Sequence, residues 1–265
     1  MRTDISRGAS ATFAANRAQG AVRFGVRLQD GVTRRGDLHE SGSLRVRFPS
    51  PEQEGLSGVF VNTAGGIAGG DRFDIDIAAA KGSRLTLTTA AAEKVYRAAG
   101  SAAQFNIALK AESGAHLSWL PQETILFDGA RLRRTLTFHV ASEARLIAAE
   151  ILVFGRIARG ERFRTGLLFD RWRIHRDGAL VWADALRLEH DIPAVLAHPA
   201  GFGGATACGT LVYVGPDVAA HANANATLIG PVLLSRFLGD AGSIRTDIAR
   251  ACVALSVRLP RLWYS

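Results

Sequence analysis

The sequence predicts a mainly β protein: a β-helix-like stack of strands closed by one or two C-terminal α-helices. Three observations point there. Apolar and polar residues alternate with period two through the first 190 residues, that region carries a weak repeat, and one apolar stripe at helical spacing lies near the C-terminus.

In chain order, the alternation begins in AVRFGVRLQDG, where Val22, Phe24, Val26 and Leu28 share a face. It recurs in DRFDIDIA (Phe73, Ile75, Ile77), QFNIALKA (Phe105, Ile107, Leu109) and RTLTFHVA (Leu136, Phe138, Val140). Successive side chains of a strand point to opposite faces, so each segment suits a strand with one buried side. FDIDIAAAKGSRLTLTT, FNIALKAESGAHLSWL, LTFHVASEARLIAAEIL and WRIHRDGALVWADAL share one plan: an alternating strand, a short turn, then a second strand led by leucine. The turns fall near Gly82, Gly114, Glu143 and Gly178, 29 to 35 residues apart. Such a period predicts hairpin-like units that stack and cover one another's apolar faces. An ordinary β-sandwich, whose hairpins space alike, is the alternative.

Beyond residue 190, DIPAVLAHPAGFGGATACG reads as loop and turn, TLVYVG and GPVLLSRFLG as strands, and PDVAAHANANATL as a helical segment. DAGSIRTDIARACVALSVRLP sets Ile244, Ile248, Cys252, Leu255 and Leu259 on one stripe, with Asp240 or Ser243 as N-cap and Pro260 as terminator. A helix over 240–259, lying on the β body, is expected. The whole chain, 1–265, is expected to form a single domain, with residues 1–19 disordered.

A hydrophobic content of 48% and a mean hydropathy of +0.10 describe a globular chain with ample core, and argue against disorder or a fibre. The opening residues lack the apolar run of a secretory signal, and no run approaches the ~18 apolar residues of a membrane span. Cys208 and Cys252 are too few for a disulfide framework, and both sit among apolar or small neighbours, as buried thiols do. The expected compartment is a reducing cytoplasm, with no membrane contact. Net charge is +8, carried almost wholly by arginine, since Lys81, Lys94 and Lys110 are the only lysines. The arginines are dispersed, and ARLRRTLTF and DRWRIHRDG read as strands with one charged face. Nucleic acid is therefore not an expected partner; acidic proteins suit the positive field better.

The stretch NTAGGIAGGDRFDID has glycines enough for a phosphate loop but lacks the terminal Gly-Lys-Ser/Thr. It runs instead into Asp71, Asp74 and Asp76, whose charges would repel a phosphate. A turn with an exposed main chain, closed by Asp71, is the remaining reading. The seven histidines form no HxH or HExxH pattern, so no tightly bound metal or other cofactor is expected. Glu189-His190-Asp191, the densest cluster, reads as a strand end before Pro193. No G-x-S-x-G elbow or activated cysteine is visible. The residues leave two readings: a non-catalytic protein that works through partners, and a stand-alone β-helical carbohydrate-active or carbohydrate-binding protein. The scarcity of tyrosine speaks against the second.

Particular strings carry more. NTAGGIAGGDRF (62–73), LTLTTAAAEKVYRA (85–98), WLPQETILFDGA (119–130), LVFGRIARGERF (152–163) and LPRLW (259–263), in this order, resemble the UreD family of urease accessory proteins, called UreH in some organisms. The resemblance runs from about residue 20 to the C-terminus. One departure is that the family often has Pro-Gly before its Lys-x-Tyr-Arg string, where this chain has Ala90 to Ala92 and Glu93 before Lys94, Tyr96 and Arg97. The resemblance implies a β-helix-like fold with C-terminal helices, and a maturation chaperone with no catalytic site of its own. It implies as partners apo-urease, UreF and the GTPase UreG, whose GTP hydrolysis serves nickel insertion, with UreE as nickel donor. It also allows a dimer within that complex and a water-filled nickel route. A carrier must release its ion, so oxygen ligands suit it better than thiolate or imidazole cages. Asp71, Glu150, Glu161 and Glu189 are the candidates for transient Ni²⁺ contact along such a passage.

Overall fold

Strands that bury every second residue need an apolar surface facing them, and this chain supplies it by winding around itself. The computed structural model describes residues 17–49, 55–221 and 225–264. Its strands in chain order are β1 (Gln19–Gln29), β2 (Val32–Gly42), β3 (Leu44–Arg47), β4 (Leu56–Asn62), β5 (Arg72–Ala79) and β6 (Arg84–Thr89). Next come β7 (Glu93–Val95), β8 (Ala103–Ala111), β9 (His116–Trp119), β10 (Thr124–Leu126), β11 (Arg131–Val140) and β12 (Arg145–Val153). The series ends with β13 (Leu167–Arg176), β14 (Ala179–Leu188), β15 (Ala207–Val214), β16 (Thr227–Ile229) and β17 (Val232–Gly239). Helix α1 (Ile192–Ala197) precedes β15, and α2 (Ala241–Ala254) follows β17.

One sheet runs β14-β13-β11-β8-β5-β1-β2, the other β16-β17-β15-β12-β9-β6-β4-β3. Each circuit of the chain lays one strand in the first sheet, one in the second and a short piece on a third side. There β7 and β12 pair with β10 in parallel, and Ile67 bridges Val95. Pairings β1–β5–β8–β11–β13 and β4–β6–β9–β12 are all parallel. The result is a solenoid of about four coils, in agreement with the predicted β-helix-like stack.

Three of the four repeat turns are corners between sheets. Ser83 donates its amide to Ala80, Ala115 to Glu112 and Ala144 to Ala141, and the corners stack through Gly82 N–H to Ser113 O and Gly114 N–H to Glu143 O. The fourth is different. Asp177 and Gly178 both have positive φ (49° and 84°), and Arg176 pairs with Ala179, so the chain reverses into the antiparallel β13–β14 hairpin. Two left-handed residues in a two-residue loop match the twist of a hairpin and cannot turn a corner to the other sheet. Asp30 and Gly31 (53° and 75°) do the same between β1 and β2. The fourth repeat unit therefore ends the stack.

The interior is lined by Val22, Phe24, Ile75, Ile107, Leu136, Phe138 and Ile174 from the first sheet, and by Leu85, Leu117, Trp119 and Leu146 from the second. The far part of the second sheet is buried on both faces. Ile147, Ile151, Leu211 and Leu233 point outward beneath Ile244, Ile248 and Cys252 of α2. Asp240 caps that helix by accepting the Ser243 amide.

Other expectations need amending. Helix α2 stops at Ala254, not 259. Ser256 takes a left-handed φ of 56°, and Ser256 N–H to Val253 O and Val257 N–H to Cys252 O close the helix before Pro260 is reached. PDVAAHANANATL holds only a 3-10 turn, Val218–His221, with residues 222–224 outside the described set and β16 beginning at Thr227. The stretch read as loop after residue 190 contains α1, with a proline in its first turn. Residues 1–16 of the predicted disordered segment lie outside the described residues, and Gln19 already belongs to β1.

Candidate functional site

Inward positions of solenoid strands are apolar almost throughout. Three are charged. Arg134 lies between Leu132 and Leu136 on the inner face of β11, Asp170 between Leu168 and Trp172 on β13, and Glu150 between Ala148 and Leu152 on β12. All three are at most 4% exposed. Arg134 and Asp170 are register partners on adjacent strands. The guanidinium donates from Nε to Asp170 Oδ1 (2.8 Å) and from Nη2 to Oδ2 (3.1 Å). Its Nη1 reaches across the interior to Glu150 Oε2 (2.5 Å) and to Thr124 Oγ1 (3.2 Å). Trp119 Nε1 donates to the other Glu150 oxygen at 2.8 Å, and Trp172 Nε1 to Asp170 at 3.3 Å.

The charges do not balance. Two carboxylates share one guanidinium, leaving one formal negative charge in the protein interior, where an uncompensated ion costs several kcal/mol, as an order of magnitude. Burial pushes the Glu150 carboxyl above its ordinary range, against the pull of Arg134. Burial likewise disfavours the Arg134 charge, but Asp170 and Glu150 outweigh it and hold the guanidinium protonated.

A route leads to it. A cavity of about 190 Å³ is bounded by Trp119, Thr124, Arg134 and Glu150, and also by Asn62, Glu93 and the exposed Ala90, Ala91 and Lys94. Its walls include Phe60, Ile75 and Ile107. Glu93 carries a carboxyl raised to about 7, chiefly by burial, with Asn62 and Lys94 pulling it back. Asn62 Nδ2 lies 3.3 and 3.4 Å from its two oxygens and 3.0 Å from Gly66 O. The cavity thus carries two carboxyls, Glu93 and Glu150, whose pKa values burial moves upward.

Of the four carboxylates singled out from sequence, only Glu150 lines this cavity. Asp71 is buried, accepting the amides of Ala18 (2.9 Å) and Ala68 (2.7 Å), and so ties the glycine loop to the start of β1. Glu161 pairs with Arg156, which holds its carboxyl below the usual range, and accepts the Asp128 amide at 3.1 Å. Glu189 pairs with Arg187 at the surface and is lowered by it. The structure does not bring these three together.

The glycine loop itself is only partly open. Thr63 to Gly65 are exposed, but Gly66 and Ile67 are buried under the following coil, where Tyr96 Oη donates to Gly65 O at 2.9 Å. The expected exposed main chain is confined to the loop's first half. Arg134, Asp170, Glu93 and Asn62 escaped the sequence reading. The first two were signalled by phase: each is charged at a position where its strand's alternation calls for an apolar residue. ARLRRTLTF was read as having one charged face, and Arg134 is the residue that does not lie on it.

Among the described residues no group of three or more His, Cys, Asp and Glu side chains is arranged to hold a metal ion. Burial pushes both thiols, Cys208 and Cys252, up to about 12. No helix among the described residues is long and apolar enough to cross a membrane.

The chain matches the family model described as UreD urease accessory protein over residues 18–264. It is 56% identical to urease accessory protein UreD of Rhodopseudomonas palustris (strain BisB18), over 99% of this chain and 100% of the relative. The corresponding protein of Bradyrhizobium diazoefficiens is 55% identical, over 99% of each chain. Urease accessory protein UreD 3 of Bradyrhizobium sp. (strain BTAi1) is 54% identical over the same shares.

Proposed function

The chain belongs to the UreD family of urease accessory proteins and has a role in urease maturation; from this we propose that it conducts Ni²⁺ through its interior toward apo-urease. In this reading it is a non-catalytic chaperone of the cytoplasm, held with UreF and the GTPase UreG on apo-urease, with UreE supplying the ion. Nickel is cargo here, passed on and not retained.

The observation that supports the reading is the surplus negative charge at Arg134–Glu150–Asp170, in contact with a largely apolar cavity that also carries Glu93 and Asn62 and reaches the exposed Ala91 and Lys94. A hydrated Ni²⁺ gains Coulomb energy from that charge. Glu93, Thr124 and Glu150 offer hard oxygen contacts that leave most of the water shell in place. The guanidinium of Arg134 opposes lasting occupancy, because it competes with the cation for Glu150. Attraction with built-in competition favours passage over storage. Asp71, Glu161 and Glu189 enter this reading only if a partner frees them from their present hydrogen bonds.

Reconstitution of urease from purified components tests it. Glu150→Gln keeps the side chain's shape and one of its two acceptor contacts while removing its charge. The Glu93→Gln, Glu150→Gln double variant is expected to assemble normally with UreF, UreG and apo-urease yet lower the nickel-dependent activation rate at least tenfold. Full activation by that double variant would defeat the passage.

A further inference from the structure

A second constellation lies on the opposite, outward face of the second sheet. Register partners on the adjacent parallel strands β6, β9 and β12 set Arg84, His116 and Arg145 side by side in one row. Two residues along, on the same face, Ser57, Thr86 and Ser118 form a row of hydroxyls. Neighbouring strands of a sheet are roughly 4.8 Å apart, so the strip sets cationic side chains and hydroxyl donors close enough together to converge on one bound oxyanion. The segment leaving α2 crosses this strip, bringing Ser256 and Arg258 over it. Two adjoining cavities, of about 100 and 300 Å³, lie between strip and segment and share Arg84, His116 and Ser118.

The charges are not equally committed. Arg145 is engaged by Asp217 (Nη2 to Oδ2, 3.0 Å), which also accepts from Tyr213 Oη at 2.5 Å. The guanidinium groups of Arg84 and Arg258, and the hydroxyls of Ser57, Thr86 and Ser118, have no side-chain hydrogen bond or ion pair among the described residues. No carboxylate lines the smaller cavity. Arg145 Nη1 stands 3.4 Å from His116 Nε2, and burial together with Arg84 and Arg145 lowers the imidazole's pKa. Of these arginines Asp217 answers Arg145 alone, and no carboxylate of the described residues pairs with Arg84 or Arg258.

We infer that this groove binds a phosphate-class oxyanion, free or carried on a larger molecule, through Arg84, Arg258, His116 and the Ser118 and Thr86 hydroxyls. Charge-assisted hydrogen bonds from arginine to phosphate are the strongest such contacts available to a protein surface. A dianion would supply the charge the strip lacks without disturbing the Arg145–Asp217 pair. The site is separated from the interior cavity by the sheet itself, so it does not depend on the nickel reading.

Calorimetric titration of the full chain with inorganic phosphate, and separately with adenosine monophosphate, against sodium acetate at matched ionic strength, tests the site. Saturable phosphate binding is expected, weakened at least about tenfold by Arg84→Gln and by Arg258→Gln, with melting temperatures unchanged. Binding of the nucleotide at equal or greater strength would mean the group arrives on a carrier, and binding of phosphate alone that the free ion is the ligand; both support the site. The imidazole of His116, faced by Arg84, Arg145, Asp217, His221 and Arg258, should titrate at higher pH when phosphate is present, read by proton NMR. Absence of saturable phosphate binding, acetate binding of equal strength, or binding indifferent to both substitutions would overturn the proposal.

Discussion

The guanidinium of Arg134 grips Asp170 as a two-pronged fork, Nε at 2.8 Å and Nη2 at 3.1 Å from its two oxygens, deep in the solenoid interior. Removing the fork strands two buried carboxylates. Arg134→Met should therefore cost about 3–5 kcal/mol of stability. Adding Glu150→Gln and Asp170→Asn to it should recover most of that loss, because nothing charged then remains unpaired. Urea unfolding of the single and triple variants measures both.

Glu93 predicts a pH dependence. Its folded carboxyl binds a proton up to about pH 7, whereas the unfolded one releases it near 4.5. Between those values the folded state holds more protons, so stability falls as pH rises from about 4.5 to 7 and stays reduced above. Glu93→Gln should flatten that slope and raise stability above pH 7, on the order of 2 kcal/mol. Thermal melts of both proteins across the range decide it.

The two halves of the glycine loop should respond differently to a methyl group. A Cβ at Gly66 would stand 2.4 Å from Tyr96 Cε2 and 2.8 Å from Lys94 O, with φ at 153°. Gly66→Ala should cost roughly 2–4 kcal/mol through overpacking and backbone strain. At Gly65 (φ 76°) nothing lies within 4 Å, so Gly65→Ala should cost only about 1 kcal/mol. Equal losses at the two positions would contradict the packing described for Tyr96.

Ser256 pays a conformational penalty at the end of α2, since its φ of 56° suits glycine. Ser256→Gly should stabilise by about 0.5–1 kcal/mol, and Ser256→Val should destabilise by more than that. Denaturant midpoints of the two variants give the sign directly.

Much of the fold was legible. Alternation located strands through Val22–Leu28, Phe73–Ile77 and Leu136–Val140, and the repeat announced the stacking. The same repeat held more than was drawn from it. Asn62 meets Glu93 and Trp119 meets Glu150 at a separation of 31 residues, and Arg134 meets Asp170 at 36. One circuit of the chain separates each pair, so adding the period to a polar inward residue finds its partner. What the repeat could not reveal was which turn would be a hairpin. The Asp-Gly pairs at 30–31 and 177–178 encode that, through two successive left-handed residues. The early stop of α2 was hidden because serine seldom adopts the conformation Ser256 takes. Glu161 and Glu189 were misleading as ligand candidates because an arginine five or two residues away satisfies each locally.

Parallel coils stacked in register offer, at either end, a fresh row of amides and carbonyls to whatever arrives next, including another copy. This chain finishes each end with a strand laid the opposite way. In the first sheet the outermost strands are β2, bearing Arg34, Arg35, Asp37 and Glu40, and β14, bearing Asp184 and Arg187. In the second they are β3, with Arg45 and Arg47, and β16, only three residues long. Charged or abbreviated borders are poor templates for further pairing. The length of the solenoid is thereby fixed, and a geometry suited to endless fibres yields a particle of finite size.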